Sequence, residues 1–399
     1  MTSRRAVIGG GAGAAVLAAL GYRVWDRGVF SAGEGPAYQP WNEWQGHAGE
    51  GSRRPLHAAI LAASAHNTQP WIFEPKEDSI TVYADRARNL GTFDPFRREM
   101  YLSLGCAIAN IQTVAFQQGF FSNYLAVNGR LEPSPSNTPA KVAEIKLSEI
   151  RFVDNTEDLY QIADAIPNRH THRGPYLADR TISSDLLKPL SGRYGENVRA
   201  VMIRDTGARK EIGDAIVDAT KKIIADKQMS ADSARWFRTG RREILQHRDG
   251  VTTDTAGLST LMTAASKLMP DVGAQSADEY WLTATRDVQV PTAAVFGMVM
   301  VRDRLDMTQA LWAGYAWQLL HLSATVHGIA AQPMNQPMEM VDRNAMLGRP
   351  DVFKSALMKL AGSKDWEPTF VFRLGYAEHP ALPSPRRPLD DVLRTTGFA

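Results

Sequence analysis

Residues 62–71 read AASAHNTQPW, and the organisation of the chain can be worked out from this stretch. It follows a short helical pattern at residues 55–63, whose apolar side chains share one face, and it precedes a strand-like run at residues 80–85. Pro70 disfavours a helical conformation at the residue before it, so an extended, shaped loop is predicted. Five of six consecutive positions carry hydrogen-bonding side chains: Ser64, His66, Asn67, Thr68 and Gln69.

Two interpretations of this loop follow from its residues. Hydroxyl and amide groups both donate and accept hydrogen bonds, which suits them to the edge of a heteroaromatic ring. Serine and asparagine are also common helix-capping residues, so a purely structural role is equally consistent with the pattern.

A second polar cluster contains Arg169, Thr171 and Arg173. Their alternation puts two guanidinium groups and a hydroxyl on one side of an extended segment. Guanidinium forks and hydroxyls are the groups that bind a phosphate monoester. The alternative is a solvated basic turn.

Two further motifs lie in the last quarter of the chain. Arg386 and Arg387, flanked by prolines, follow a predicted strand at residues 368–376 and indicate either a second anion clamp or a basic tail. Residues 330–337 read AAQPMNQP and follow a buried helix predicted at residues 308–327. On composition alone this motif is a connection between a helix and a strand.

The loop resembles the Pro-Ser-Ser-x-Asn-x-Gln-Pro-Trp loop of the FMN-dependent nitroreductase family, in particular its Acg-type branch of long single chains. Ala63 stands where the family usually has Pro, and Ala65 where it has the second Ser. The segment at residues 169–173 is similar to the family's Arg-Arg-Ser-x-Arg phosphate grip, with His170 replacing the second Arg.

The resemblance implies FMN as cofactor, with NAD(P)H as an electron donor and a nitro compound, quinone or similar small molecule as acceptor. In the family the flavin performs the chemistry, so no catalytic side chain is assigned. The rival expectation is a flavin-holding protein whose lid, at residues 230–290, limits turnover with nicotinamide. The residues implied to contact FMN are Ser64, His66, Asn67, Gln69, Arg169, Thr171, Arg173, Gln332, Pro333, Met334, Asn335, Arg386 and Arg387.

The fold implied by the resemblance is α+β, a three-layer sandwich built from two nitroreductase-like halves that form a pseudo-dimer. The first half is predicted at residues 53–158 and the second at 159–399, with residues 31–52 as a linker or arm. Because the ring-edge loop lies in the first half and the phosphate clamp in the second, one flavin per chain is expected.

The amino terminus resembles a twin-arginine export signal, with SRRAVI at residues 3–8 and a Gly/Ala-rich run that ends near residue 20. The leader is predicted over residues 1–30, either cleaved or kept as a membrane anchor. Partnership with the twin-arginine machinery and a periplasmic or outer-face location follow from this resemblance. An ordinary buried helix is the alternative.

Composition excludes several other functions. The 399 residues are 44% hydrophobic and 22% charged, with a net charge of +2, so nothing in the total charge favours nucleic acid. The single cysteine, Cys106, cannot form an internal disulfide and is predicted to be an inert buried thiol. No metal-ligand spacing is present, and the GGGAG run at residues 9–13 lacks the preceding strand of a dinucleotide-binding motif.

Overall fold

The computed structural model describes residues 21–44, 51–149, 157–269 and 273–394. The twin-arginine pattern and the apolar run at residues 1–20 lie outside these ranges. Within them, no helix is both long and apolar enough to cross a membrane.

The described residues form an α+β fold, as predicted. Its helices are α1 Gln39–Glu43, α2 Arg54–Ala59, α3 Arg98–Gln117, α4 Glu157–Asp164, α5 Ser184–Leu187, α6 Thr206–Ala225, α7 Lys227–Ala234, α8 Arg241–His247, α9 Thr260–Leu268, α10 Ala274–Thr283, α11 Met307–Val326, α12 Gln336–Met346 and α13 Phe353–Leu360. Its strands are β1 Trp71–Pro75, β2 Ser79–Ala84, β3 Phe120–Ala126, β4 Ala140–Glu149, β5 Gly192–Arg193, β6 Val198–Ile203, β7 Phe237–Arg238, β8 Val251–Thr252, β9 Val295–Val301, β10 Ala330–Pro333 and β11 Glu367–Gly375.

The two halves repeat one topology. The first sheet has the order β1-β2-β4-β3, and the second has β6-β9-β11-β10 with the short β5 added beyond β6. In the first half, the antiparallel pair β1–β2 precedes the 20-residue helix α3, β3 forms the sheet edge, and β4 lies between β2 and β3. In the second half, the antiparallel pair β6–β9 precedes the 20-residue helix α11, β10 forms the sheet edge, and β11 lies between β9 and β10. The chain therefore contains the same strand and helix arrangement twice.

The two long helices, α3 and α11, pack against each other through glycines. A Cβ on Gly105 would overlap the carbonyl oxygen of Leu311, and a Cβ on Gly314 would overlap that of Leu102. Leu311 lies three residues before Gly314, and Leu102 lies three residues before Gly105. The two contacts are therefore equivalent, as expected when two helices are related by a two-fold axis. The helix pair forms the middle layer, with one sheet on each side.

The second sheet is buried on both faces, which explains the continuous apolar run of β9. Val295, Val299 and Val301 face the helix pair, whereas Met298 and Met300 face an outer layer formed by α6, α12 and α13. Alternate residues of a strand point to opposite faces, so both sets must be apolar.

Several segments are more regular than their composition suggests. Residues 230–290, predicted to be irregular, are mostly helical, with a parallel β7–β8 pair. Ser259 accepts a hydrogen bond from the Met262 amide at the start of α9, which is a cap that polar composition conceals. Strands β1 and β10 were not predicted, and β10 occupies part of the motif at residues 330–337.

Candidate functional site

The ring-edge loop was predicted to be extended, and this prediction was wrong: the loop is a tight, strained turn. His66, Asn67 and Gln69 have φ values of 47°, 54° and 50°, which side-chain-bearing residues rarely adopt. The Ser64 hydroxyl accepts a hydrogen bond from the Gln69 amide at 3.1 Å and closes the turn. Backbone strain of this kind persists only where surrounding contacts enforce it, and it is concentrated at functional sites.

The contacts that enforce this turn come from two separate parts of the second half, residues 248–250 and 385–387. Asn67 donates to the carbonyls of Gly250 and Pro385, each at 3.0 Å, and accepts from Arg386 at 2.6 Å. Gln69 donates to the Arg248 carbonyl at 2.8 Å, and its side-chain oxygen accepts from the Arg387 amide at 2.8 Å. The side-chain amides of Asn67 and Gln69 therefore form their hydrogen bonds with other parts of the protein.

His66 is in a different environment from its neighbours. Its Nε2 lies 2.9 Å from the Ser233 hydroxyl on α7, and its ring meets Phe93 edge-on at 4.9 Å between centroids. Burial and the nearby charge of Arg173 lower the pKa of His66 to about 4. The imidazole is therefore neutral at physiological pH.

Arg169 and Arg386, far apart in the sequence, lie side by side in the structure. Both guanidinium groups approach the Leu61 carbonyl, at 3.1 Å from Arg169 and 3.4 Å from Arg386. Both also lie over the ring of Trp41, at 5.8 Å and 4.5 Å from its centroid. The two basic motifs in the sequence therefore meet at one point.

These two cations are buried without a negative partner. Arg169 is 2% exposed and Arg386 3% exposed, and neither pairs with a carboxylate in the described part of the chain. The Nε atom of each has no hydrogen-bond partner there. Burial lowers the pKa of Arg169 to about 10, and burial together with the Arg169 charge lowers that of Arg386. A buried charge of this kind requires compensation, so the site is suited to an oxyanion.

The other residues of the two basic motifs lie elsewhere. Arg173 donates to the Thr255 carbonyl at 3.0 Å, beside His66, and burial lowers its pKa to about 10. Thr171 is partly exposed. Arg387 turns away from Arg386 and donates to the Gln69 and Asp391 carbonyls. Only one arginine of the Arg386–Arg387 pair therefore joins Arg169.

The motif at residues 332–335 connects strand β10 to helix α12, and its side chains contact β11 and α3. Gln332 accepts a hydrogen bond from Arg373 at 2.7 Å, and Pro333 ends strand β10. Met334 is fully buried, and its amide donates to the Val371 carbonyl. Asn335 donates to the Glu99 carboxylate and accepts from the Val371 amide. The side chains of Gln332 and Asn335 are thus engaged within the protein.

Asn335 leads into a buried cluster of acids. Asp94, Glu99 and Glu339 are each at most 6% exposed, and one Glu339 oxygen has no partner within the described ranges. Burial and then the Glu99 charge raise the pKa of Asp94 to about 7, and the same causes raise that of Glu339 well above its ordinary value. Glu339 and Glu99 are joined by a side-chain hydrogen bond, and two carboxyls in such contact share a proton rather than both ionise.

Glu339→Gln is expected to increase stability at alkaline pH. A carboxyl whose folded pKa is raised stabilises the fold below its unfolded pKa, near 4.5, and loses that contribution as pH rises through the folded pKa. Glutamine keeps the shape of the protonated acid, so the variant should match the parent near pH 4.5 and exceed it above pH 7.

Chemical denaturation across pH 4.5–8.5 tests this expectation, with the exposed Glu378→Gln as control. Histidines with lowered pKa values are common to both proteins and cancel in the difference. A constant difference between variant and parent at every pH would show that folding does not raise the pKa of Glu339.

Two residues of the site were missed by sequence reasoning. Trp41, in the segment predicted to be a linker or arm, donates to the Ser384 carbonyl at 2.7 Å and supports both buried arginines. Arg373 is fully buried and donates to the Gly174 carbonyl at 2.6 Å, which fixes the segment after Arg173. A single arginine within the apolar run TFVFRLGY, at residues 369–376, was the available signal for Arg373.

Comparison with known proteins identifies similar chains of nearly the same extent. Two Mycobacterium tuberculosis proteins bear the name “Putative NAD(P)H nitroreductase”. One is 26% identical over 349 residues, covering 86% of this chain and 90% of its own, and the other, acg, is 25% identical over 348 residues, covering 84% and 93%. The chain is thus similar to nitroreductase-named proteins along most of its length. No family model matches it.

Solved structures give weaker similarity. The FMN- and NADPH-dependent nitroreductase NfnB from a Sphigopyxis strain is 16% identical, with a TM-score of 0.39, and covers 59% of this chain and 99% of its own. The NfnB structure from Mycobacterium smegmatis with NADPH is also 16% identical, with a TM-score of 0.36, over 60% of this chain and 100% of its own.

Proposed function

We propose that the protein is an FMN-dependent oxidoreductase of the nitroreductase type. It takes electrons from NAD(P)H and passes them to a nitro compound, quinone or similar small molecule. The observation that carries the proposal is the unneutralised pair Arg169 and Arg386, buried beside the strained loop. The names of the Mycobacterium tuberculosis relatives support the same activity.

The chain's own residues bind and orient the cofactor. Arg169 and Arg386 hold the phosphate, since each presents an Nε without a partner in the described structure. Arg373 positions the segment that carries Arg173, and Arg173 lies near the neutral His66. Bound FMN supplies the hydride chemistry.

Extraction of the cofactor and anaerobic reduction test the proposal. The purified protein should contain one FMN per chain, because the paired arginines occur once in the described ranges. NADPH or NADH should bleach the flavin absorbance, with dithionite as the positive control for reduction. Recovery of FAD, or of no flavin after reconstitution with FMN, would contradict the proposal.

A second candidate function is flavin holding with little nicotinamide-dependent turnover. It is favoured by residues 230–290, the covering segment, which contacts the strained loop through Arg248 and Gly250. Next to these contacts, Asp249 forms ion pairs with both Arg88 and Arg238. Asp254 and Lys267 form a further buried pair in the same segment. These contacts resist opening.

Asp249→Asn separates the two candidates. If the covering segment limits access, this variant should reduce faster with NADPH while FMN stays bound, and the exposed Asp287→Asn should not change the rate. Rapid reduction of the parent protein would remove the flavin-holding candidate. Deletion of residues 246–268 is unsuitable, because it would also remove the partners of Asn67, Gln69 and Arg88.

We also propose export by the twin-arginine route, on the basis of the SRRAVI pattern at residues 3–8. Replacing Arg4 and Arg5 with lysine should retain the full-length protein in the cytoplasm, because the route requires paired arginines. Fractionation of cells expressing each form measures the distribution. Unchanged envelope location of the lysine variant would favour the buried-helix alternative.

A further inference from the structure

A cavity of about 510 Å³ lies between the first half and the start of the covering segment. Its wall includes three arginines, Arg97, Arg235 and Arg238, together with Trp236 and the amides of Asn89 and Asn137. The volume is in the range of sites that hold small organic ligands. None of these residues belongs to the Arg169–Arg386 site.

Arg97 is the residue that makes this cavity unusual. It is 7% exposed and adopts a left-handed conformation, with φ 59°, just before α3. Its Nη2 donates to the carbonyls of Ser134 and Ser136 at 2.8 and 2.7 Å, which holds the guanidinium against the cavity wall. Its Nη1 is buried and has no partner among the described residues.

Arg97 forms no ion pair with a carboxylate of the described residues. Burial and the charge of Arg86 lower the pKa of Arg97. Asp94 is near, but its oxygens accept the amides of Glu99 and Met100, and its own pKa is raised to about 7. Ionisation of Asp94 is therefore incomplete at neutral pH, and positive charge remains on this wall.

The other two arginines of the wall are already paired. Arg235 forms an ion pair with Asp232 at 2.9 Å, and Arg238 pairs with Asp249 at 2.8 Å. Asp249 also pairs with Arg88, and the Arg238 guanidinium lies 3.7 Å from the Glu243 carboxylate. These three arginines thus face three carboxylates and add no net charge at the rim, so an anion entering the cavity would be attracted to Arg97. The Trp236 ring, with Arg88 at 5.3 Å from its centroid, supplies an apolar wall for the rest of a ligand.

The cavity is connected to the strained loop by one short turn. The Asn89 side chain accepts a hydrogen bond from the Gly91 amide at 2.9 Å, and Gly91 begins the turn Gly91–Phe93. Phe93 contacts the His66 ring. A ligand in the cavity therefore lies behind the wall of the candidate flavin site and not within it.

We propose that this cavity is a second anion site, which takes a small organic ligand by an oxyanion head, phosphate or carboxylate, placed against Arg97. The head accepts hydrogen bonds from Nη1 of Arg97, and the exposed Asn137 side chain contacts polar groups at its edge. The Asn89 amide supports this edge, since it donates to the Arg86 carbonyl at 2.9 Å and to the Asn137 side-chain oxygen at 3.3 Å. Trp236 covers the ligand body. This site is independent of the flavin phosphate site and does not require the proposed oxidoreductase activity.

Calorimetric titration of the full chain, saturated with FMN, tests the site. The probes are inorganic phosphate, adenosine 2′-monophosphate and benzoate, so that a bare phosphate, a nucleotide phosphate and a carboxylate are compared. At least one probe should bind. Arg97→Gln should weaken that binding by about 10- to 100-fold, the effect of one charge-assisted hydrogen bond.

Two further variants keep the result interpretable. Ala87→Glu places a negative charge on the cavity wall and leaves Arg97 intact, so it should also abolish binding if the fold is retained. Arg130→Gln removes an exposed arginine paired with Asp303 and should leave binding unchanged. Binding of no probe, binding that survives Arg97→Gln, or binding lost only in Arg386→Ala would each overturn the proposal.

Discussion

The double variant Arg169→Ala/Arg386→Ala is expected to bind FMN about 10²- to 10⁴-fold more weakly than the parent. Each arginine presents an unpaired Nε from a buried position, and a charge-assisted hydrogen bond contributes roughly 1.5–3 kcal/mol. Two such bonds give about 3–6 kcal/mol, which corresponds to the stated range. Fluorescence titration of the apoprotein with FMN measures the change.

The matched control is Arg169→Ala/Arg387→Ala, which removes the same number of charges from the same two motifs. Arg387 is directed toward the Gln69 and Asp391 carbonyls, so this variant should lose only the share that belongs to Arg169. Equal losses in the two double variants would show that the phosphate does not lie between Arg169 and Arg386. Unchanged affinity in both would move it away from these motifs.

Gly105→Ala/Gly314→Ala is expected to have the largest effect on the fold. Each new methyl group would overlap a backbone carbonyl of the opposite helix, and a backbone cannot move aside as a flexible side chain can. Overpacking typically destabilises by about 1–3 kcal/mol per site and occasionally more. A combined loss near 6 kcal/mol is of the order of a whole domain's stability, so the double variant should fail to fold.

Gly207→Ala provides the control for helix propensity. Gly207 lies in the exposed first turn of α6, where an added Cβ meets only the Asp205 side chain, at 3.2 Å. Alanine is favoured over glycine in helices, so this variant should be neutral or slightly stabilised. Thermal melts of the single and double variants measure the effect. A double variant as stable as the parent would mean that α3 and α11 do not cross at these residues.

Much of the secondary structure could be predicted from local patterns. The buried helices predicted at residues 99–118 and 308–327 agree with α3 and α11 to within one residue at each end, because both are long runs that are apolar on nearly every side, as expected of a fully buried helix. The strand-like runs at residues 80–85 and 198–204 agree equally well with β2 and β6. Residues 230–290 were mistaken for irregular structure because the α-helices there are only 7–10 residues long, too short to stand out from the polar residues around them.

The repeated halves were implied by the family resemblance, and the loop was predicted to be extended rather than strained. The sequence by itself determined the positions of the polar loop and of the two basic motifs. These depend on residues near one another in the chain, for which period and turn chemistry are sufficient. Only the tertiary structure decided which groups meet: Arg169 with Arg386 rather than Arg387, Trp41 beneath both, Gly105 against the opposite helix, and Asn335 on Glu99. Such pairings depend on how two similar halves dock, and local patterns specify which face of an element is buried but not what will cover it.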